Sequence, residues 1–237
     1  MMRLDKVLGH VGYGSRKEVQ KLIKSKKVTV NGKTVIKSEA NVNPESDTIC
    51  VSGEAIDYQT FYYYLLNKPA GYVSATEDPR EETVMDLLEV IDRNKELFPV
   101  GRLDKDTEGL LVLTNDGKMA HDLLSPKKHV DKIYYAKVIG KMVPEDIEVF
   151  AKGMTLNDGT TYKPGKLEIL SSGKYSEILV TISEGKFHQV KKMVQFVGKE
   201  VIYLKRLQMG DLKLPNDLAI GAYRQLTIEE LHALQKL

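Results

Sequence analysis

Between Gly101 and Gly109 the chain crowds six side chains that ionise or hydrogen-bond: Arg102, Asp104, Lys105, Asp106, Thr107 and Glu108. Carboxylates can act as nucleophiles, and neighbouring Arg and Lys favour their charged form. The stretch runs as a polar loop from Pro99 into the apolar run Leu110 to Leu113. Loops held by rigid strands often carry function, although an ordinary charged connection has the same composition. A second stretch, E-G-K-F-H-Q-V-K-K-M at residues 184–193, brings His188 close in sequence to the cations Lys191 and Lys192. His121 and His129 lack a metal-ligand partner pattern. The single Cys50 excludes an internal disulfide and a Cys-based zinc site. Neither a P-loop nor a G-x-G-x-x-G fingerprint is present, so nucleotide cofactors are not indicated.

The elements that must position these residues alternate without regular βαβ repetition, an α+β pattern. Strands are expected at Phe61 to Leu66, Leu110 to Leu113, Tyr134 to Ile139, Lys166 to Leu170, Ile178 to Ile182 and Val201 to Leu207. Helices are expected at Thr83 to Leu88, Lys118 to Leu123, Pro144 to Lys152, His188 to Val197 and Thr227 to Leu234. Val190, Met193, Val194 and Val197 form the apolar stripe of the fourth of these helices. Asp116-Gly117 reads as a turn, and Thr227 with Glu230 as a capping box. Arg206 follows a strand, where it suits RNA or a carboxylate equally.

The first 60 residues differ from the rest. Residues 1–40 carry ten Lys and Arg against three Asp and Glu, whereas the whole chain of 237 residues has a net charge of only +2. Leu4, Val7 and Leu8 stand at helical spacing, Gly12 and Gly14 break that helix, and Ser15 with Glu18 opens a second. Val19, Leu22 and Ile23 form the second helix's apolar stripe, with Arg16, Lys17, Gln20, Lys21 and Lys24 off it. Asn31-Gly32 between alternating apolar residues predicts a type I′ hairpin. This unit reads as an electrostatic docking module, and its boundary is placed near Asp57 to Thr60. No apolar run reaches the roughly 20 residues of a membrane helix, and the N-terminus lacks a secretory signal. A cytoplasmic protein without a membrane partner is expected.

Two resemblances become specific once these segments are laid in order. M-R-L-D-K, G-S-R-K, L-I and V-T-V-N-G-K over residues 2–50 resemble an S4 RNA-binding domain. The resemblance implies that Arg3, Arg16, Lys17 and Lys21 meet structured RNA. G-R-L-D-x-x-T-x-G-L-L-x-L-T-N-D-G, ending at Gly117, resembles the active-site signature of pseudouridine synthases related to the ribosomal small-subunit enzyme. L-N-K-P-A-G-Y-V at residues 66–73, K-I-Y at 132–134 and the 184–193 segment match further motifs of that family, as does G-x-Y-R-x-L at 221–226.

The resemblance implies an S4 domain over residues 1–58 and a catalytic domain over 59–237 built on a mixed, mostly antiparallel sheet. It makes Asp104 the nucleophile and Lys191 its cationic partner, with Lys192 the competing candidate. Arg102 would occupy the space vacated by a flipped base or touch the RNA backbone, the alternative being an ion pair with Asp106 or Glu108. Tyr134 would stack on the uracil, Val190 would line the pocket, and Arg206 would contact the substrate. Lys68-Pro69 is expected to shape a turn beside the site, and His188 to make an orienting hydrogen bond. Pseudouridine formation needs neither redox nor an external group, so no cofactor and no metal is implied. The implied substrate is a uridine of 16S ribosomal RNA in a small-subunit assembly intermediate, met by a monomer. A 23S ribosomal RNA substrate, or an RNA-binding assembly factor, are the alternatives.

Overall fold

The computed structural model describes residues 1–125 and 128–235, and the chain divides into two compact units. The first comprises Met1–Tyr62 and Met85–Phe98. Its core is built by Leu4, Val7 and Leu8 of helix α1 (Leu4–Val11), Val19 and Ile23 of helix α2 (Arg16–Lys24), and Val28, Val42, Ile49 and Val51. These are the apolar positions at helical and strand spacing, which can be buried together only if the two helices pack on the strands. The Glu18 carboxylate accepts from the Ser15 amide at 2.8 Å and from its hydroxyl at 2.6 Å, tying off the start of α2.

Strands β1 (Val28–Val30) and β2 (Lys33–Thr34) form the predicted hairpin, with φ of 50° at Asn31 and 76° at Gly32. Two consecutive positive φ values define the type I′ turn. β3 (Ile49–Val51) and β4 (Glu54–Ala55) complete a sheet in the order β2-β1-β3-β4. Residues 85–98, with the short helix α3 (Val90–Arg93), pack on α1 within this unit. Asn94 Nδ2 donates to the Gly12 carbonyl at 3.0 Å. A Cβ added at Gly12 would lie 2.0 Å from the Ile91 carbonyl oxygen. Glycine at position 12, with φ of +104°, is what lets the two segments approach so closely.

The second unit, Tyr63–Val84 and Pro99–Leu237, is organised by one large sheet. Its strands are β5 (Tyr63–Lys68), β6 (Glu108–Thr114), β7 (Lys132–Ile139), β8 (Lys166–Ser171), β9 (Tyr175–Ile182), β10 (Glu200–Met209) and β11 (Tyr223–Gln225). They run in the order β8-β9-β7-β10-β6-β5-β11 among the described residues. The β10–β6 pair is parallel and the other pairs along this path are antiparallel, the mixed α+β arrangement expected. Lys132, Tyr134, Ala136 and Val138 alternate along β7 as one buried face. Helices α4 (Gly117–Leu124), α5 (Pro144–Lys152), α6 (Gln189–Phe196) and α7 (Ile228–Gln235) lie within a residue or two of the expected spans.

Three expectations need correction. Thr83 to Leu88 is not an α-helix: a 3₁₀ turn spans Val84–Leu87. The Val84 amide is already spent on the Val73 carbonyl at 3.0 Å, and Leu88 closes onto Met85 three residues back. The first sheet strand begins at Tyr63, two residues later than expected, and runs through Lys68. Asp116 does more than turn the chain, because its Oδ1 accepts from the Met119 amide at 3.0 Å and caps α4.

Candidate active site

The loop that carries Asp104 is fixed from beneath by the segment following β5. Lys68 has no exposed surface. Its ammonium donates to the carbonyls of Thr107 at 2.8 Å, Pro69 at 3.0 Å, Asp104 at 3.2 Å and Lys105 at 3.3 Å. Ser74 Oγ, also buried, donates to the Leu103 carbonyl at 2.9 Å and accepts from the Leu103 amide at 3.0 Å. The Gly71 amide reaches the Lys105 carbonyl at 2.8 Å, and the Thr107 amide closes a turn on Asp104 at 3.0 Å. A sharp polar loop thus has its backbone oxygens paid for by one lysine and one serine. Burial pulls Lys68 down to about 8, against the pull of the Asp106, Asp104 and Glu108 carboxylates and with the push of the Lys191 cation.

From the opposite side, α6 supplies the charge. Lys191 Nζ lies 3.1 Å from Asp104 Oδ2 and 2.6 Å from Asp106 Oδ1. Partial burial works against its charge, but the hydrogen bonds that it donates to the Asp106 and Asp104 carboxylates hold Lys191 above the usual lysine range. Partial burial raises Asp106, yet the Lys191 hydrogen bond and charge leave it below the ordinary carboxylate value. The Asp104 side chain is 23% exposed, enclosed yet reachable. Lys192 points elsewhere, 5.7 Å from the Phe187 ring. His188 precedes α6 in a left-handed conformation, with Nε2 3.5 Å from Asp104 Oδ1.

The sheet carries two more of the expected residues. Tyr134 on β7 is buried and sits opposite Arg206 of β10 and Val180 of β9. Directly opposed antiparallel residues share a face, so the Tyr134 and Arg206 side chains lie side by side. Arg206 is 2% exposed, and its Nε donates to the Leu110 carbonyl at 2.8 Å. Its Nη2 is buried with no hydrogen-bond partner. Buried donors without partners are uncommon. Lys132, on the same face, donates to the Val130 carbonyl at 2.8 Å. Burial first, and then the Arg206 charge, pull Lys132 down to about 8, with Asp131 opposing. Val190 is buried on α6, one residue before Lys191.

Arg102 is exposed and makes no ion pair or hydrogen bond among the described residues. The alternative ion pairs do not form, because Asp106 holds Lys191 and Glu108 accepts from the Tyr203 hydroxyl at 2.7 Å. In the first unit, Arg3 grips the buried Asp5 with Nε at 3.0 Å and Nη2 at 2.7 Å. Arg16 Nε approaches the same carboxylate at 3.9 Å. Arg3, Lys6, Arg16 and Arg93 help line a groove of about 1050 Å³ in that unit. Lys17 and Lys21 are exposed on α2. Among the described residues, no group of three or more His, Cys, Asp or Glu is placed to hold a metal ion.

Sequence reasoning missed the clamping roles of Lys68 and Ser74 and the burial of Lys132 beside Arg206. Lys68 and Lys132 did lie inside quoted motifs, but nothing in a linear pattern says that a lysine faces four carbonyls.

Comparison with known proteins adds the following. The RNA pseudouridylate synthase family matches residues 62–196, and the S4 domain matches residues 2–49. An uncharacterized RNA pseudouridine synthase of Bacillus subtilis (strain 168) is 49% identical over 99% of each chain. Ribosomal large subunit pseudouridine synthase B of the same organism is 41% identical over 100% of this chain and 97% of its own. Ribosomal small subunit pseudouridine synthase A of Escherichia coli (strain K12) is 38% identical over 97% of this chain and 98% of its own. A crystal structure of a pseudouridylate synthase superposes with a TM-score of 0.69 at 33% identity, covering 99% of this chain and 100% of that one.

Proposed function

The chain belongs to the RNA pseudouridylate synthase family, and from that premise we propose that it isomerises a uridine of 16S ribosomal RNA with Asp104 as nucleophile. Pseudouridine synthase activity on RNA follows from the membership; the target and the residue roles are our reading. The reaction breaks the N1–C1′ bond, turns the base and joins C5 to C1′. C5 loses a proton and N1 gains one, so the product is an isomer and no electrons change hands.

The observation that carries the site assignment is the Lys191–Asp104 contact of 3.1 Å on a loop clamped by Lys68 and Ser74. Asp104 attacks either C1′ or the base. Lys191 offsets its charge, and the clamp fixes its position, which lowers the entropic part of the barrier. Extruding the target base costs a few kcal/mol. Tyr134 repays part of that by stacking, worth about 1–3 kcal/mol per base. Val190 lines the pocket beside it. Arg206 Nη2, lacking a protein partner, donates to a polar atom of the bound nucleotide. Arg102, exposed and unpaired, fills the space that the base leaves or meets the RNA backbone.

Residues 1–58 serve as the RNA-docking S4 domain and 59–237 as the catalytic domain. Arg3, Arg16, Lys17 and Lys21 meet phosphates in the first unit. Two cations in the first turn of α2 oppose its dipole, a placement that an incoming phosphate makes favourable. We take the substrate to be a small-subunit assembly intermediate, met in the cytoplasm by a monomer.

The 16S assignment rests on the likeness of the F-Y-Y-Y-L-L-N-K-P-A-G-Y-V and E-G-K-F-H-Q-V-K-K-M segments to the small-subunit branch. A 23S target is the second reading, favoured by the 41% identity to a large-subunit enzyme. Pseudouridine mapping of both RNAs, free and in assembly intermediates, after reaction with wild type and Asp104→Asn separates them. A 16S site made by wild type and lost by at least about a thousandfold in the variant supports the proposal. A site in 23S RNA alone moves the assignment to the large subunit. No new site in either RNA, with binding intact, leaves an RNA-binding factor.

A further inference from the structure

The turn that leads into α6 holds an unusual arrangement beside Asp104. His188 is not glycine, yet it adopts φ 53° and ψ 28°, a conformation that costs free energy for a residue with a Cβ and collects at functional sites. The turn sets its imidazole flat on the Phe187 ring, with centroids 3.7 Å apart and planes at 19°. Phe187 itself is 72% exposed. Lone exposed apolar side chains are common, but this one is braced by a stacked neighbour whose other contact is the Asp104 carboxylate. Lys192 Nζ stands over the same ring, 5.7 Å from its centroid, where an incoming base and its phosphate would draw it aside. Six residues thus present an exposed aromatic ring and a cation beside Asp104.

Tyr134 is buried on the sheet and Phe187 is exposed, so they suit different bases. When a target base leaves its stack, the base next to it loses a stacking partner. An exposed ring offers a replacement that needs no hydrogen-bond code, and a lysine at that ring suits the connecting phosphate. We propose that Phe187, braced by His188, is the platform on which the base adjacent to the target uridine stacks, and that this contact sets the sequence context the enzyme accepts. The inference rests on the reading of the protein as a uridine isomerase acting through Asp104.

The test uses the full-length protein and an RNA fragment carrying the uridine that wild type converts. 2-Aminopurine, or an abasic nucleotide, replaces each neighbour of that uridine in turn. Wild type should change the 2-aminopurine fluorescence at one neighbour, and Phe187→Ala should not. The Phe187→Ala kcat/KM should fall roughly tenfold, Phe187→Trp should restore it, and the abasic RNA should erase the difference from wild type. Because the ring is exposed, the thermal melt of Phe187→Ala should match wild type. Equal kcat/KM and equal fluorescence for Phe187→Ala and wild type overturn the platform, and so does a loss that persists on abasic RNA. In those cases wild-type activity leaves the isomerase reading standing. A wild type that converts no uridine overturns both.

Discussion

At the scale of single residues, Lys68 ties the chemistry to pH. Burial lowers it from the ordinary 10.5 to about 8. Between those values the unfolded chain holds the proton and the folded chain does not, so this group's contribution to stability increases with pH across that window. Its effect on catalysis has the opposite sign. A neutral amine has one fewer donor for the loop carbonyls and no charge beside Asp104, so kcat should decline as pH rises through about 8. Lys191, held above the usual lysine range, keeps its proton through that decline. Lys132 also titrates near 8, and Lys132→Met is the control. A pH–rate profile with the same alkaline limb in wild type and Lys132→Met assigns the limb to Lys68; its loss in the variant assigns it to Lys132.

At the scale of elements, the segment after β5 acts as a template for the Asp104 loop. Ser74→Ala removes both hydrogen bonds to Leu103 and leaves a buried amide without its partner. That should cost about 1–3 kcal/mol of stability, read as a lower urea midpoint with unchanged slope. Because the loop then drifts, kcat should fall by up to about a hundredfold with little change in KM. An unchanged kcat would show that Lys68 alone suffices to place Asp104. These supports also mark the limit of what was legible beforehand. Asn31-Gly32 announced its hairpin because two adjacent positive φ values strongly favour such residues, and Pro144 to Lys152 announced its helix through its starting proline and periodicity. The contact between Asp104 and Lys191 was expected from motifs. The Ser74 clamp was invisible, since a lone serine 29 positions from its partner has no local signature. The strand Tyr223–Gln225 was missed for a related reason, because three residues are too few to display a period and their pairing with β5 is non-local.

At the scale of the whole molecule, the charge asymmetry of the sequence is what tests our proposal that the first unit docks RNA. Arg16, Lys17 and Lys21 are exposed on the first unit. Replacing all three with alanine should flatten the dependence of log affinity on log salt by about 2 to 3 units of slope. KM should rise, while kcat at saturating RNA stays within about twofold. Filter binding across a salt series checks the slope, and an unaltered slope removes these residues from the RNA contact.

The route of the chain carries a different consequence. It leaves the first unit at Tyr62, returns at Met85 and leaves again at Phe98. The return brings Ile91 so close to Gly12 that no side chain fits between them. A recombination event that imported a foreign amino-terminal segment at a single crossover before codon 85 would therefore bring a new helix end against a resident Ile91. Descent with both parts together is the easier path for such a gene, and a chimera that respects the fold must be spliced at three junctions.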